Sequence, residues 1–173
     1  KHYEIYNKFG AHPMTIDVVK GTYFAVWAPD ARRVSVVGDF NMWDGNLHPM
    51  QLRPNGGIYE LFIPNVLSGA VYKYQILTRY DEILYKSDPY GNQAQMRPDN
   101  GSVVADLTTY KWKDTAWVNK RRTYSRTDRM KMPMTIYEMH LGSWRKKVED
   151  DDSGFFSYRE LAPMVADYVK DMG

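Results

Sequence analysis

Three hydrogen-bonding side chains, Asp39, Asn41 and Asp44, surround an indole, Trp43, in the stretch VSVVGDFNMWDG, Val34 to Gly45. A flat apolar ring beside several donors and acceptors is the chemistry that holds a sugar. The ring covers the apolar face of the hexose, and the polar groups bond its hydroxyls. Trp is costly to expose and is normally placed where its area is used. Two uses are open: Trp43 closes one end of a packed core, or it forms a stacking platform. The turn context favours the platform.

Composition narrows the field. The chain has 173 residues, 43% hydrophobic and 25% charged, with a net charge of +2. That length suits one domain, or one domain and part of another. The near-balanced charge offers no field for nucleic acid or an anionic membrane. Lys120-Arg121-Arg122 therefore reads as a solvated face. With no Cys, disulfide and thiol chemistry are excluded, and a reducing, cytoplasmic setting is expected. No apolar run approaches the roughly 20 residues that span a bilayer, and KHYEIYNKFG lacks the apolar stretch of a signal peptide. The aromatic share of 14%, with 14 Tyr and 5 Trp, fits a β-rich fold.

The elements that must position Trp43 are short strands. GTYFAVWAP, from Gly21, alternates with period two and stops at Pro29. ARRVSVVG, IYELFIP (Ile58–Pro64), VYKYQIL (Val71–Leu77) and SVVADL (Ser102–Leu107) follow between turn signals. This spacing predicts a small antiparallel sandwich. Trp27, inside an alternating strand, is expected in the core, and Phe40 is expected to pack inward. Residues 108–133 show no period and read as a connection pinned by Trp112 and Trp117. MTIYEMHLGSW (Met134–Trp144) is predicted as a strand, with Glu138 and His140 a buried, hydrogen-bonded pair. Ser157 and Glu160 have capping-box spacing. They predict one turn over residues 158–162, and then a helix with Pro163 near its first position. Strand, loop and helix cannot close a core alone, so the tail reads as the opening of a larger α/β domain. Glu149 to Asp152 is expected to be a solvated loop. The four His are too scattered for a metal site.

In order, FAVWAPDARRVSVVGDFNMWDG, GIYELFIP, YKYQI, KSDPYG, IYEMHLGSW, YRELA and YVKDMG resemble the N-terminal part of bacterial 1,4-alpha-glucan (glycogen) branching enzymes. The resemblance covers nearly the whole chain. Its first portion alone is similar to family-48 carbohydrate-binding modules, and YEMHLGSW with YRELA narrows it to branching enzymes. The resemblance implies a mainly β protein. An immunoglobulin-like antiparallel sandwich (1–107) and a linker (108–133) would precede the first strand and helix of an incomplete (β/α)8 barrel (134–173). It implies α-glucan as partner, together with the rest of the barrel, and no metal or organic cofactor. The catalytic Asp, Glu and Asp would lie beyond Gly173, so none falls in this chain. It also implies glycan contacts at Trp43, with Asn41 beside it, at Lys73, at Tyr85 and at Asn100. Tyr85 stands where some binding relatives carry a second Trp, so its stacking face is smaller.

Overall fold

The computed structural model describes residues 4–54, 56–147 and 154–173. They form two compact units, Lys1–Trp112 and Lys113–Gly173. The acidic run Glu149 to Asp152 and His2 lie outside the described residues.

The first unit holds β1 (Gly10–Ile16), β2 (Val19–Trp27), β3 (Ala31–Gly38), β4 (Gln51–Leu52), β5 (Ile58–Pro64), β6 (Val71–Thr78), β7 (Ile83–Lys86), β8 (Gln93–Ala94) and β9 (Ser102–Val103). One antiparallel sheet runs β1-β2-β5-β4, and the other runs β3-β6-β9-β8 with β7 also paired to β6. Alternation along each strand decides what is buried. Thr22, Phe24 and Val26 of β2, Tyr59 and Ile63 of β5, Val34 and Val36 of β3, and Tyr72 and Tyr74 of β6 are buried between the sheets. Each such apolar side chain contributes about 2 kcal/mol by leaving water. The mainly β, antiparallel expectation therefore holds. The predicted strands from Gly21, Ala31, Ile58 and Val71 are present, whereas SVVADL keeps only two ladder residues.

Trp27 is not in the core. Period two puts it on the outer face with Tyr23, where it is 61% exposed and its indole N–H donates to the Gly56 carbonyl at 3.0 Å. The Trp112 and Trp117 rings, expected to pin the connection, are both exposed. Trp112 meets the Tyr110 ring edge-on, at 5.0 Å. Phe40 does pack against the core.

The second unit contains α1 (Thr115–Thr123), α2 (Arg126–Lys131), α3 (Leu141–Trp144) and α4 (Tyr158–Met172). The segment expected to be an irregular connection thus carries two short helices. In α2, Ser125 and Asp128 cap reciprocally. Residues 134–140 join no ladder, because a strand exists only by pairing and no described residue pairs with them. Glu138 and His140 are accordingly exposed, not a buried pair. His140 instead lies 3.2 Å from the Ser143 hydroxyl. α4 is one continuous helix with Pro163 in its interior. The Ser157–Glu160 box fixes its start, with the Glu160 carboxylate accepting the Ser157 N–H and O–H, both at 2.7 Å. Those bonds, with Lys147 alongside, hold the Glu160 carboxyl down at about 2. A cap and a fifteen-residue amphipathic stripe outweigh the one bond that proline removes.

A buried polar knot locks the second sheet. Tyr72 and Tyr74 donate to one Asp88 carboxylate oxygen at 2.6 and 3.0 Å. The Asp88 N–H donates to the Ser102 hydroxyl at 2.8 Å, and its other carboxylate oxygen accepts the Tyr90 N–H at 2.8 Å. Burial pushes both phenols up, with the Asp88 charge adding to the effect, so they stay protonated donors. Asp88→Ala would remove the shared acceptor of two buried hydroxyls, leaving Tyr74 only a longer bond to the Ala25 carbonyl at 3.4 Å, and a loss of about 2–4 kcal/mol is expected. It would be read as a lower urea midpoint at unchanged slope; an unshifted midpoint would contradict the role of the knot.

Candidate functional site

Tyr72 and Tyr74 point into the core, so Lys73 and Gln75, which alternate with them, point outward. In register with these two on β3 lie Val37 and Ser35. Both are buried although they face out, because the loop of residues 39–50 folds over them. It returns beside β3. The Val36 N–H donates to the His48 carbonyl at 3.1 Å, and the Met50 N–H donates to the Val34 carbonyl at 2.8 Å. Gly45 presses on the Gln75 amide so closely that a Cβ there would come within 1.9 Å of Oε1. A side chain at this position would push the Gln75 amide aside.

This loop presents Trp43. A 3-10 turn over Asp39–Asn41 is followed by Met42 at φ 55° and Trp43 at φ 61°. Two successive left-handed residues that are not glycine cost on the order of 1–2 kcal/mol each. Local bonds offset that cost. The Trp43 N–H donates to the Gly38 carbonyl at 2.9 Å, and its indole N–H donates to the Asp39 carboxylate at 2.8 Å. The indole ends half-buried, neither sealed inside nor free.

Asn41 holds the turn from within, and here the reading of it as a glycan contact is corrected. It is 3% exposed. Its oxygen accepts the Gly38 N–H at 2.9 Å, and its nitrogen donates to the Val36 carbonyl at 2.9 Å and meets His48 Nδ1 at 2.8 Å. Every polar atom is engaged, so none is left for a sugar hydroxyl. Asp44 likewise serves the loop, accepting from the Asn46 backbone and side chain.

The other sequence candidates gather on the outer surface around β6. Lys73 donates to the Asn100 side-chain oxygen at 2.5 Å, and the Ser87 hydroxyl donates to the Asn100 carbonyl. Lys73 has three donors and Asn100 takes one. Tyr85, 50% exposed, sits opposite Gln75 on β7, and its hydroxyl accepts from the Gln75 amide at 2.9 Å. Gln75 thus links the Trp43 loop, through Gly45, to Tyr85. Sequence reasoning missed Gln75, Gly45 and His48. Gln75 had a signal, lying two residues from Lys73 on one strand face, whereas the contacts of Gly45 and His48 depend on how the loop folds back. Among the described residues no cluster of three or more His, Asp or Glu is arranged to hold a metal ion.

An aromatic platform with amide, ammonium and phenol groups on one face of a β-sandwich defines a carbohydrate-binding module in form. Residues 8–91 match the family model for carbohydrate-binding module 48, the isoamylase N-terminal domain. The chain is 47% identical over 186 residues to the 1,4-alpha-glucan branching enzyme GlgB of a Synechococcus species, covering 99% of this chain and 24% of that protein. It is 52% identical to GlgB of Gloeobacter violaceus, covering 99% of this chain and 23% of that one. Among solved structures, ligand-free PulA from Klebsiella pneumoniae aligns with 57% of this chain and 10% of its own at 28% identity, with a TM-score of 0.47. The chain thus carries a module-48 match over residues 8–91 and is similar to 1,4-alpha-glucan branching enzymes along 99% of its own length. It spans about a quarter of the length of the curated relatives it matches.

With Asn41 as the internal strut of the loop, Asn41→Ala strips partners from the Gly38 N–H, the Val36 carbonyl and the half-buried His48 ring. The expected cost is about 2–3 kcal/mol, seen as a lower melting temperature together with broadening of the Trp43 indole N–H resonance. A sharp, unmoved resonance in a destabilised variant would assign Asn41 to the core alone.

Proposed function

We propose that this chain is the α-glucan-binding portion of a 1,4-alpha-glucan branching enzyme acting in glycogen biosynthesis in the cytoplasm. In this reading residues 1–107 are the binding module and residues 108–133 the connection. Residues 134–173 open a (β/α)8 barrel whose remaining strands carry the catalytic carboxylates. The parent reaction is retaining: an α-1,4 bond is broken through a covalent glycosyl-enzyme, and the segment passes to a 6-hydroxyl in place of water. The module contributes local concentration, holding a polymer with many ends near a tethered barrel.

The observation that carries the reading is the Trp43 indole. It is spent on neither the core nor open solvent, and its N–H is already satisfied by Asp39, which leaves the ring face to do the binding. Lys73, Asn100 and Tyr85 supply hydroxyl partners and a second, smaller ring. Covering roughly 100 Å² of ring and sugar face contributes about 2.5 kcal/mol. Two or three hydrogen bonds add about 1 kcal/mol each, and ordering subtracts. The net is near the roughly 4 kcal/mol of a millimolar complex. Such a site suits a multivalent polymer and grips a short oligosaccharide poorly.

Affinity electrophoresis of the chain in gels containing glycogen tests this. Trp43→Ala is expected to weaken retention by roughly tenfold or more. Tyr85→Trp is expected to strengthen it a few-fold through a larger stacking face. Equal retention of Trp43→Ala and the unaltered chain would remove Trp43 as the platform, and no retention of either would make the sandwich a spacer.

A further inference from the structure

The turn beneath Trp43 rests on one pair of side chains whose hydrogen-bond roles have a single solution. The Gly38 N–H needs the Asn41 oxygen and the Val36 carbonyl needs its nitrogen, so the amide has only one orientation. The second hydrogen on that nitrogen then points at His48 Nδ1, 2.8 Å away. A ring nitrogen accepts only when it carries no proton, so His48 is neutral, with its hydrogen on Nε2. A further proton has only Nδ1 to occupy. There it would face the Asn41 N–H, donor against donor. Asn41 cannot turn over without orphaning both backbone partners, so the imidazole must move. His48 is part of the loop: its carbonyl takes the Val36 N–H, and its ring meets Phe40 edge-on at 5.8 Å. Moving the imidazole therefore loosens the segment that aims Trp43.

We propose that Asn41 and His48 are the positioning residues of the Trp43 platform, and that the platform holds an α-glucan only while His48 is neutral. The inference rests on the glycan-binding reading given above.

The charged groups on the surrounding elements are Asp39 and Asp44 in the loop, Arg32 and Arg33 on β3, with Arg32 paired to Asp81, and Lys73 on β6. Asp39 is taken by the Trp43 indole, Asp44 by Asn46 and Lys73 by Asn100. No ion pair reaches His48 among the described residues, and burial alone lowers its proton affinity below the ordinary 6.5. The sign follows. A histidine kept neutral by the fold contributes stability that is present above its unfolded value and is lost as pH falls through its folded one. The platform is intact at neutral pH and loosens on the acid side of 6.5. The sugar does not titrate at all.

The experiment is glycogen affinity from about pH 7.5 to about pH 5. It is paired with NMR of the His48 ring and of the Trp43 indole N–H, the latter assigned with Trp43→Phe. The unaltered chain is expected to lose affinity by roughly threefold to tenfold over that range, with the indole resonance moving at the His48 midpoint. His48→Gln, whose side-chain oxygen can still accept from Asn41 but does not titrate, is expected to bind with a flat pH profile. Trp43-dependent binding that stays level through the His48 titration would overturn this inference alone. Binding at pH 7.5 that ignores Trp43→Ala would overturn the platform reading beneath it. If His48→Gln does not fold, the two resonances of the unaltered chain decide: shared midpoints support the proposal, and an indole blind to His48 overturns it.

Discussion

Everything at the site depends on β6 having two faces with opposite duties. Inward, Tyr72 and Tyr74 close on the Asp88 carboxylate and lock β6 to the segments that follow β7 and lead into β9. Outward, Lys73 and Gln75 alternate with them. Because the side-chain period of a strand is two, one residue of slip would exchange the faces, burying an ammonium and exposing two phenols. The buried knot forbids that slip. The outer groups therefore stand at fixed positions, as the proposed weak binding site requires, since such a site has no surplus energy to spend on ordering.

The loop over β3 works under a different constraint. It holds two left-handed residues in a row and leaves a Trp half-exposed. Neither choice follows from local preference. Both are stable because the surrounding contacts over-determine them. Asn41 ties the turn to β3, Asp39 holds the indole N–H, and Gly45 admits the close approach to Gln75. Strain kept at an exposed ring is a feature of sites that must be ready before the ligand arrives.

Much of this was legible in the residues. Alternation in IYELFIP and VYKYQIL reads directly as strands, because a half-buried sheet enforces period two and the residues are β-branched and aromatic. The Ser157–Glu160 box reads as a helix start because it satisfies donors within one turn. What failed was long-range. Trp27 lay on the face that alternation assigns to Tyr23, yet its place inside an alternating strand pointed to the core. Asn41 looked like a turn side chain free for a ligand, and only the return of His48 and the carbonyl of Val36 reveal it as a strut. The stretch from Met134 had strand composition, but a strand needs a neighbour, and none of the described residues supplies one. Gln75 joins the site through Gly45, thirty positions away in the chain, a contact that no local pattern encodes.

The most direct test of the central claim is a residue-by-residue map of chemical-shift changes as maltoheptaose is titrated into the chain. The account predicts saturable, millimolar-range shifts centred on the Trp43 indole and spreading to Lys73, Tyr85 and Asn100, with the buried Asn41 amide responding only through the loop. Saturating shifts confined to the opposite sheet, around Tyr23 and Trp27, with Trp43 unmoved, would contradict it.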